Sequence, residues 1–230
     1  MKYYRMKHFY EKYKHAIPLI IYAFIYLTWF VLLEKNTASH YRIIHLAIDN
    51  YIPFCELFVI PYFLWFAYVS LTVFYFLFKG KEDYIRTCVF LFTGMTIFLL
   101  VSTFFPNGQH LRPTVMPRDN FFTGLVASLY RTDTPTNLWP SIHVYNSLGA
   151  QFAIIKSDQF CNKKWIRRCS FLLSTSIILS TVFIKQHSVF DVITAFVMAA
   201  VMYGIVYKYD IVAAYRLRIN ARKKTTPQVD

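Results

Sequence analysis

The chain has 230 residues, 56% of them hydrophobic and 20% aromatic, with 25 Lys and Arg against 12 Asp and Glu for a net charge of +13. The apolar residues come in runs of about twenty, the length needed to cross a hydrocarbon core of roughly 30 Å, and six such runs exclude a soluble globular domain. The basic excess would suit a nucleic-acid partner, but the charges sit at the ends of the apolar runs instead of in one compact basic domain, which excludes that class and points to a membrane.

Residues 1–15 carry Lys2, Arg5, Lys7, Lys12 and Lys14 among aromatics, a pattern that suits a short helix lying on an anionic membrane surface and equally well a solvated basic tail. The first span covers about 16–33 and ends at Glu34 and Lys35; no small-residue cleavage site follows it, so it is expected to stay as a transmembrane helix. A second span over about 52–78 contains Pro53 and Pro61, which predicts a tilted or kinked helix, with Glu56 at the interface near its start. The basic turn 79–86 leads to an uncharged third span, about 87–105.

From 106 to 139 the character changes to Pro, Gly, Asn, Thr and Asp, with a short amphipathic piece at 121–130. A loop of this length among short ones is where function concentrates. The fourth span starts at Pro140 or Ser141 and ends near Ile155, short unless it is tilted. The basic loop 156–168, a fifth span over 169–184, the turn 185–188, a sixth span over 189–207 and a basic tail complete the chain. Cys55, Cys88, Cys161 and Cys169 show no metal-binding spacing, and no disulfide is expected of them.

Of the 25 Lys and Arg, 19 fall on the side that holds both termini and 6 on the other. The side rich in positive charge is the cytoplasmic one. The expected arrangement is therefore an all-α polytopic membrane protein of the cell membrane, a six-transmembrane-helix bundle with catalytic loops on one face. Residues 1–15 form a cytoplasmic basic segment, 16–207 the membrane domain with 106–139 as its extracytoplasmic loop, and 208–230 a cytoplasmic basic tail. Alternation of six helices brings the 106–139 loop and the 185–188 turn to the same outer face, together with His143, His187 and Asp191.

Those three residues have the makings of phosphoryl-transfer chemistry. A phosphate ester is a poor electrophile surrounded by negative charge, so its cleavage needs donors for the oxygens, a nucleophile, and an acid for the leaving alkoxide. His143 and His187 can act as acid and nucleophile near neutral pH. Asp191, one helical turn after His187, can fix its tautomer. Arg112 can bind oxyanions with a bidentate fork, and Ser141 adds a hydroxyl at a helix start. Each also has a plain structural role: an interfacial hydrogen-bonding histidine, a helix-start carboxylate, a headgroup anchor. Asp133, Thr134, Thr136 and Asn137 suit turn chemistry, His110 an ordinary loop position, and Tyr145 and Asn146 simple packing.

Arg112-Pro113, Pro140-Ser141-Ile142-His143, and His187 with Asp191 four positions on resemble the three signature motifs of the type-2 phosphatidic acid phosphatase superfamily, K-x6-RP, PSGH and SR-x5-H-x3-D. The resemblance covers about residues 105–191. It implies that His187 is the nucleophile that becomes phosphorylated, Asp191 its partner and His143 the acid on the leaving group, with Arg112 and Ser141 on the phosphoryl oxygens. It also implies a lipid phosphate or phospholipid as substrate, with no metal and no cofactor.

The family's lysine falls on Phe105, its glycine on Ile142 and its arginine on Thr181, although the preceding serine is kept as Ser180. Lys185 and Arg118 are the candidate replacements for the missing cations. Retained His, His and Asp with lost cations is similar to the sphingomyelin synthase and inositol phosphorylceramide synthase branches. The expected function is a lipid phosphatase or phosphotransferase acting at the outer face. The competing expectation is a non-catalytic protein on the same fold that binds or transports a lipid phosphate.

Overall fold

A computed structural model describes residues 13–35 and 40–225, together with His8 and Tyr10. Most of the 1–15 segment and the end of the basic tail thus lie outside the described residues. The fold is helical: α1 (Ile17–Lys35), α2 (Val59–Lys79), α3 (Lys81–Phe104), α4 (Phe121–Thr132), α5 (Ile142–Lys156), α6 (Lys164–Phe183), α7 (Val189–Tyr203) and α8 (Ile211–Thr225), with a π-helical turn, Gly204–Lys208, before α8. Five helical stretches are long and apolar enough to cross a membrane: Lys14–Lys35, Glu56–Lys79, Lys81–Phe104, Lys164–Phe183 and Val189–Ile219.

The expected fourth span is the one that falls short of that measure. At 1.5 Å per residue the 15 residues of α5 extend only about 22 Å. Its surroundings explain why it needs no long lipid-facing stripe: α5 packs on α2, α3, α6 and α7 and is the central helix of the bundle. Two glycines set its closest approach. The Tyr145 ring of α5 lies over Gly94 of α3, the Phe90 ring of α3 lies over Gly149 of α5, and the two rings stack at 4.7 Å. A Cβ at either glycine would enter a ring, and the phenol closes the contact by donating to the Phe90 carbonyl at 2.8 Å. On the other flank, Tyr68 of α2, Ser170 of α6 and Gln151 of α5 form a buried hydrogen-bonded triangle. Tyr145 therefore packs, as expected.

The second helix differs from its expected form. It begins at Val59, after the short 3-10 turn Glu56–Phe58, so Pro53 lies in the preceding loop. Pro61 falls in the first turn, where the missing N–H would have had no partner in the helix, and no kink is required of it. The third helix starts earlier than expected, at Lys81, because Glu82 and Asp83 suit an N-terminal turn. The amphipathic piece is α4, capped by Asn120, whose side chain accepts from Thr123 N–H while the Thr123 hydroxyl accepts from Asn120 N–H.

The connections also form sheet-like structure that the sequence pattern did not announce. Arg42–Ile43 pairs in parallel with Asn107–Gly108, and Gly108 bridges Thr136. These bonds tie the α1–α2 connection to the long loop between α3 and α5. Leu138 and Trp139 N–H both donate to the Asn107 side chain at 2.9 Å, which fixes the chain just before Pro140.

Candidate active site

The stretch that starts α5 is set by Ser141, whose hydroxyl oxygen accepts from Val144 N–H at 3.4 Å as the N-cap. Two residues on, His143 enters the bundle between aromatic rings, with centroids 4.5 Å from Tyr62 and 4.3 Å from Trp65. Its Nδ1 is buried without a hydrogen-bond partner. The His187 ring lies 5.7 Å from the His143 ring, at the start of α7.

His187 is held by the way two helices are joined. The carbonyl of Thr181, near the end of α6, accepts from both Gln186 N–H and His187 N–H at 2.9 Å. Lys185 takes a left-handed backbone conformation, φ 54°, to make that reversal. Ser188 then caps α7 and Asp191 completes a capping box, its Oδ2 accepting from Ser188 N–H at 3.0 Å. The same oxygen faces His187 Nδ1 at 3.4 Å, while Asp191 Oδ1 is buried without a partner. The spacing of four thus has two physical consequences: one carboxylate caps the helix and lies beside the imidazole. That puts the carboxylate on the Nδ1 side of the His187 ring.

Arg112 reaches this cluster from the long loop. Its terminal nitrogens donate to the carbonyls of Tyr130 (3.2 Å), Asp133 (2.8 Å) and Thr134 (3.2 Å) and to Gln186 Oε1 (2.5 Å). The guanidinium also covers the Tyr130 ring at 4.5 Å. Its Nε is buried without a partner. Burial lowers the Arg112 pKa, with the neighbouring Asp133 charge opposing the shift.

Lys185 and Arg118, the two candidate replacement cations, are directed elsewhere. Lys185 Nζ donates to the carbonyls of Asp49 (2.8 Å) and Ile52 (2.6 Å), and burial lowers its pKa. Arg118 is 59% exposed and grips both oxygens of Glu56, at 2.8 and 2.6 Å, which raises its pKa. Its charge is spent on an ion pair beside α4. Glu56 is itself buried, held by Arg118 and Asn120. Of the two positions where the resembled motifs carry a cation, Phe105 is exposed at the end of α3, and buried Thr181 bonds back to Ile178.

The structure adds residues that the motifs did not single out. Asp133 and Gln186 join Arg112 to His143: Gln186 Nε2 donates to Asp133 Oδ2 at 3.1 Å, and Tyr62, stacked on His143, donates to the same oxygen at 3.4 Å. Burial pushes the Asp133 carboxyl up, against the pull of Arg112 and His187. Asp49 is the second addition. Only 1% exposed, it accepts from Ser188 Oγ (2.6 Å), Val189 N–H (2.8 Å) and Leu46 N–H (2.8 Å), and so binds the 46–52 loop to the first turn of α7. A signal existed for Gln186, next to His187, and for Tyr62 and Trp65, three apart on one face of α2. Nothing in the local sequence pairs Asp49 with a helix start 140 residues away.

Among the described residues, no group of three or more His, Cys, Asp or Glu side chains is arranged to hold a metal ion. No family model, no curated protein and no solved structure matches the chain.

Proposed function

We infer that the chain is an integral membrane enzyme that cleaves or transfers a phosphoryl group of a lipid at the extracytoplasmic face, with α5 as the sixth membrane-embedded helix. The observation that carries this reading is the approach of His143 to His187, 5.7 Å between ring centroids, with Asp191 behind His187 and Arg112 joined to the pair through Gln186, Asp133 and Tyr62.

The chemistry follows from those positions. Nε2 of His187 attacks phosphorus as the bond to the leaving oxygen breaks, and Asp191 stabilises the charge that develops on the imidazole. Protonated His143 gives its proton to the departing alkoxide and takes one back from the water or lipid alcohol that then attacks phosphorus. Arg112 and the first-turn amides behind Ser141 meet the phosphoryl oxygens. The loss of cations at Phe105 and Thr181 favours an electrophile of lower charge, a phosphodiester over a monoester.

Purified protein in excess chelator is expected to release phosphate or headgroup from a phospholipid, and to lose this activity by about three orders of magnitude on His187→Ala or His143→Ala. An absolute requirement for added divalent metal would overturn the mechanism. Release of headgroup with a new lipid product only when a lipid alcohol is added would identify transfer instead of hydrolysis.

One observation favours the competing reading of a lipid-phosphate binding or transport protein: the Arg112 terminal nitrogens are already held by four protein oxygens. Tight binding of a lipid phosphate without turnover in the presence of any acceptor would establish it.

A further inference from the structure

Arg112 is saturated by the protein itself. Nη1 donates to the carbonyls of Tyr130 and Asp133, and Nη2 to the Thr134 carbonyl and to Gln186 Oε1. Nε is buried without a partner. A phosphoryl group can therefore reach this guanidinium only by taking the place of one of the four oxygens. Which of them gives way depends on what each is fastened to.

Three of them are backbone, and that backbone is held on both sides. Asp133 N–H donates to the Leu129 carbonyl at 2.9 Å where α4 ends, and the Pro135 carbonyl accepts from Gln109 N–H at 3.0 Å. The chain reversal that carries Gln186 is held as well: Tyr130 Oη donates to the Ile184 carbonyl at 2.5 Å, Gln109 Nε2 to the Lys185 carbonyl at 2.8 Å, and Gln186 N–H to the Thr181 carbonyl at 2.9 Å. The Gln186 carboxamide alone among the four acceptors hangs on rotatable side-chain bonds, so it can swing away while both backbones stay in place. It is wholly buried, next to His187, and its Nε2 donates to Asp133 Oδ2 at 3.1 Å. An amide oxygen is neutral, whereas a phosphoryl oxygen makes a charge-assisted bond of roughly twice the strength. An anion with two oxygens gains further, because Nε and Nη2 share one edge of the guanidinium and Nε is unused.

We propose that Gln186 is an internal stand-in for the phosphoryl group: its Oε1 holds the place of a phosphoryl oxygen on Arg112, and the anion enters by displacing it. The assignment rests on the phosphoryl-transfer site proposed above, and it reconciles an oxyanion role for Arg112 with the four protein oxygens that surround it. It makes Gln186 a positioning residue and a filter. A neutral headgroup gains nothing by replacing an amide oxygen, so only a group with anionic oxygens opens the fork. The swing also withdraws Gln186 Nε2 from Asp133 Oδ2 and leaves that oxygen to Tyr62, whose ring stacks on His143.

The test is the binding of inorganic phosphate to the full chain in detergent micelles with chelator present, alongside thermal unfolding and turnover. Gln186→Met keeps the length and removes the acceptor, Gln186→Asn is one methylene too short to span Arg112 and Asp133, and Gln186→Glu fixes an anion on the fork. The Met and Asn variants are expected to bind phosphate about tenfold tighter than the parent, the effect of removing one competing hydrogen bond to a charged group, and to show a lower KM for the phospholipid. Gln186→Glu is expected to bind phosphate about tenfold more weakly or worse, so the prediction is read in both directions and survives the loss of one variant to misfolding. A glutamine that only braced the fold would give weaker phosphate binding in the Met and Asn variants beside a lowered Tm. That result would overturn the proposal, as would phosphate affinity equal to the parent's in both. The binding arm needs no chemistry: tighter phosphate binding by the variants with no phospholipid turnover by the parent would sink the enzymatic reading and leave the stand-in standing, and normal turnover with unchanged phosphate affinity would do the opposite.

Discussion

The two ends of the helix bundle treat their cations in opposite ways. Where α3 ends and α5 and α7 begin, Arg112 is met by three backbone carbonyls and a glutamine amide, and Lys185 by two carbonyls. Where α3 begins and α7 ends, Arg86 makes a two-pronged ion pair with Asp210, at 3.2 and 2.6 Å, with Asp83 at 3.7 Å, and Arg216 pairs with Glu82. Dipoles hold a cation in place and leave its charge uncancelled, whereas carboxylates cancel it. At the first end a carboxylate stands near each of these cations without pairing directly with it, Asp133 by Arg112 and Asp49 by Lys185, and the second end uses direct ion pairs to join α3 to α8. Arg118 with Glu56 is the exception at the first end, and its side chain is 59% exposed.

The sharpest way to break this contrast is Arg112→Lys. The charge is kept, but a single ammonium cannot reproduce the planar fork that spans four oxygens and faces the Tyr130 ring. Turnover of the preferred phospholipid is expected to fall by about two orders of magnitude in kcat/KM, the usual effect of removing one oxyanion contact. Unchanged kinetics would mean that the planar fork of Arg112 has no part in the reaction.

Next in size is Asp49→Ala, measured by thermal unfolding in detergent. Asp49 caps a helix from a distant loop, and its removal leaves Ser188 Oγ, Val189 N–H and Leu46 N–H without this acceptor. A loss of roughly 2–3 kcal/mol is expected. Phosphoryl transfer should fall too, because Ser188 stands between His187 and Asp191 in the cap. A variant as stable as the parent would show that Lys185, through Asp49 O and Ile52 O, holds the 46–52 loop unaided.

Asp133 gives a smaller, pH-dependent effect. Burial raises its pKa in the folded chain, so the folded state binds this proton more tightly than the unfolded one. Its contribution is fully present below the usual aspartate range near 4 and is lost as pH rises through the raised folded value. Asp133→Asn is expected to flatten that part of the stability profile while keeping an acceptor for Tyr62 and Gln186. Persistence of the full slope in the variant would assign it to another carboxyl.

How much of this was legible in the sequence depends on whether the cause was local. The helices were legible, because their apolar runs and caps are contiguous, and so was the His187–Asp191 pair, because a spacing of four is one helical turn. The proximity of His143 to His187 followed from counting alternating helices. Pro53 and Pro61 misled because proline within an apolar run reads the same whether it lies before the first turn, within it or deep inside. Lys185 and Arg118 were placed near the phosphate from their positions in the chain, but a long side chain goes to the nearest acceptors, here the 46–52 carbonyls and Glu56. Asn146 was read as packing; its unpaired oxygen shows only when α1, α2 and α5 are assembled around it. Asp49, Asp133 and the Arg42–Ile43 strand act across 53 to 140 residues, and no periodicity encodes such partners.

The smallest effect belongs to the opposite end and tests the other half of the contrast. Arg86 and Asp210 are part-buried, so their pair is worth more than a surface bridge but is still screened by water. Asp210 also takes a left-handed backbone conformation, φ 44°, at the junction before α8, and its Oδ1 accepts from Ala213 N–H at 3.2 Å. Asp210→Asn removes the charge and keeps both the backbone preference, since asparagine tolerates that region, and the cap. The expected cost is about 1 kcal/mol or less at low salt, shrinking as salt rises, with kcat/KM for the phospholipid unchanged. A salt-independent loss would trace the effect to α8 docking instead of charge. A fall in turnover would mean that the two ends are coupled through α3 and α7, against the separate duties that their different partners imply.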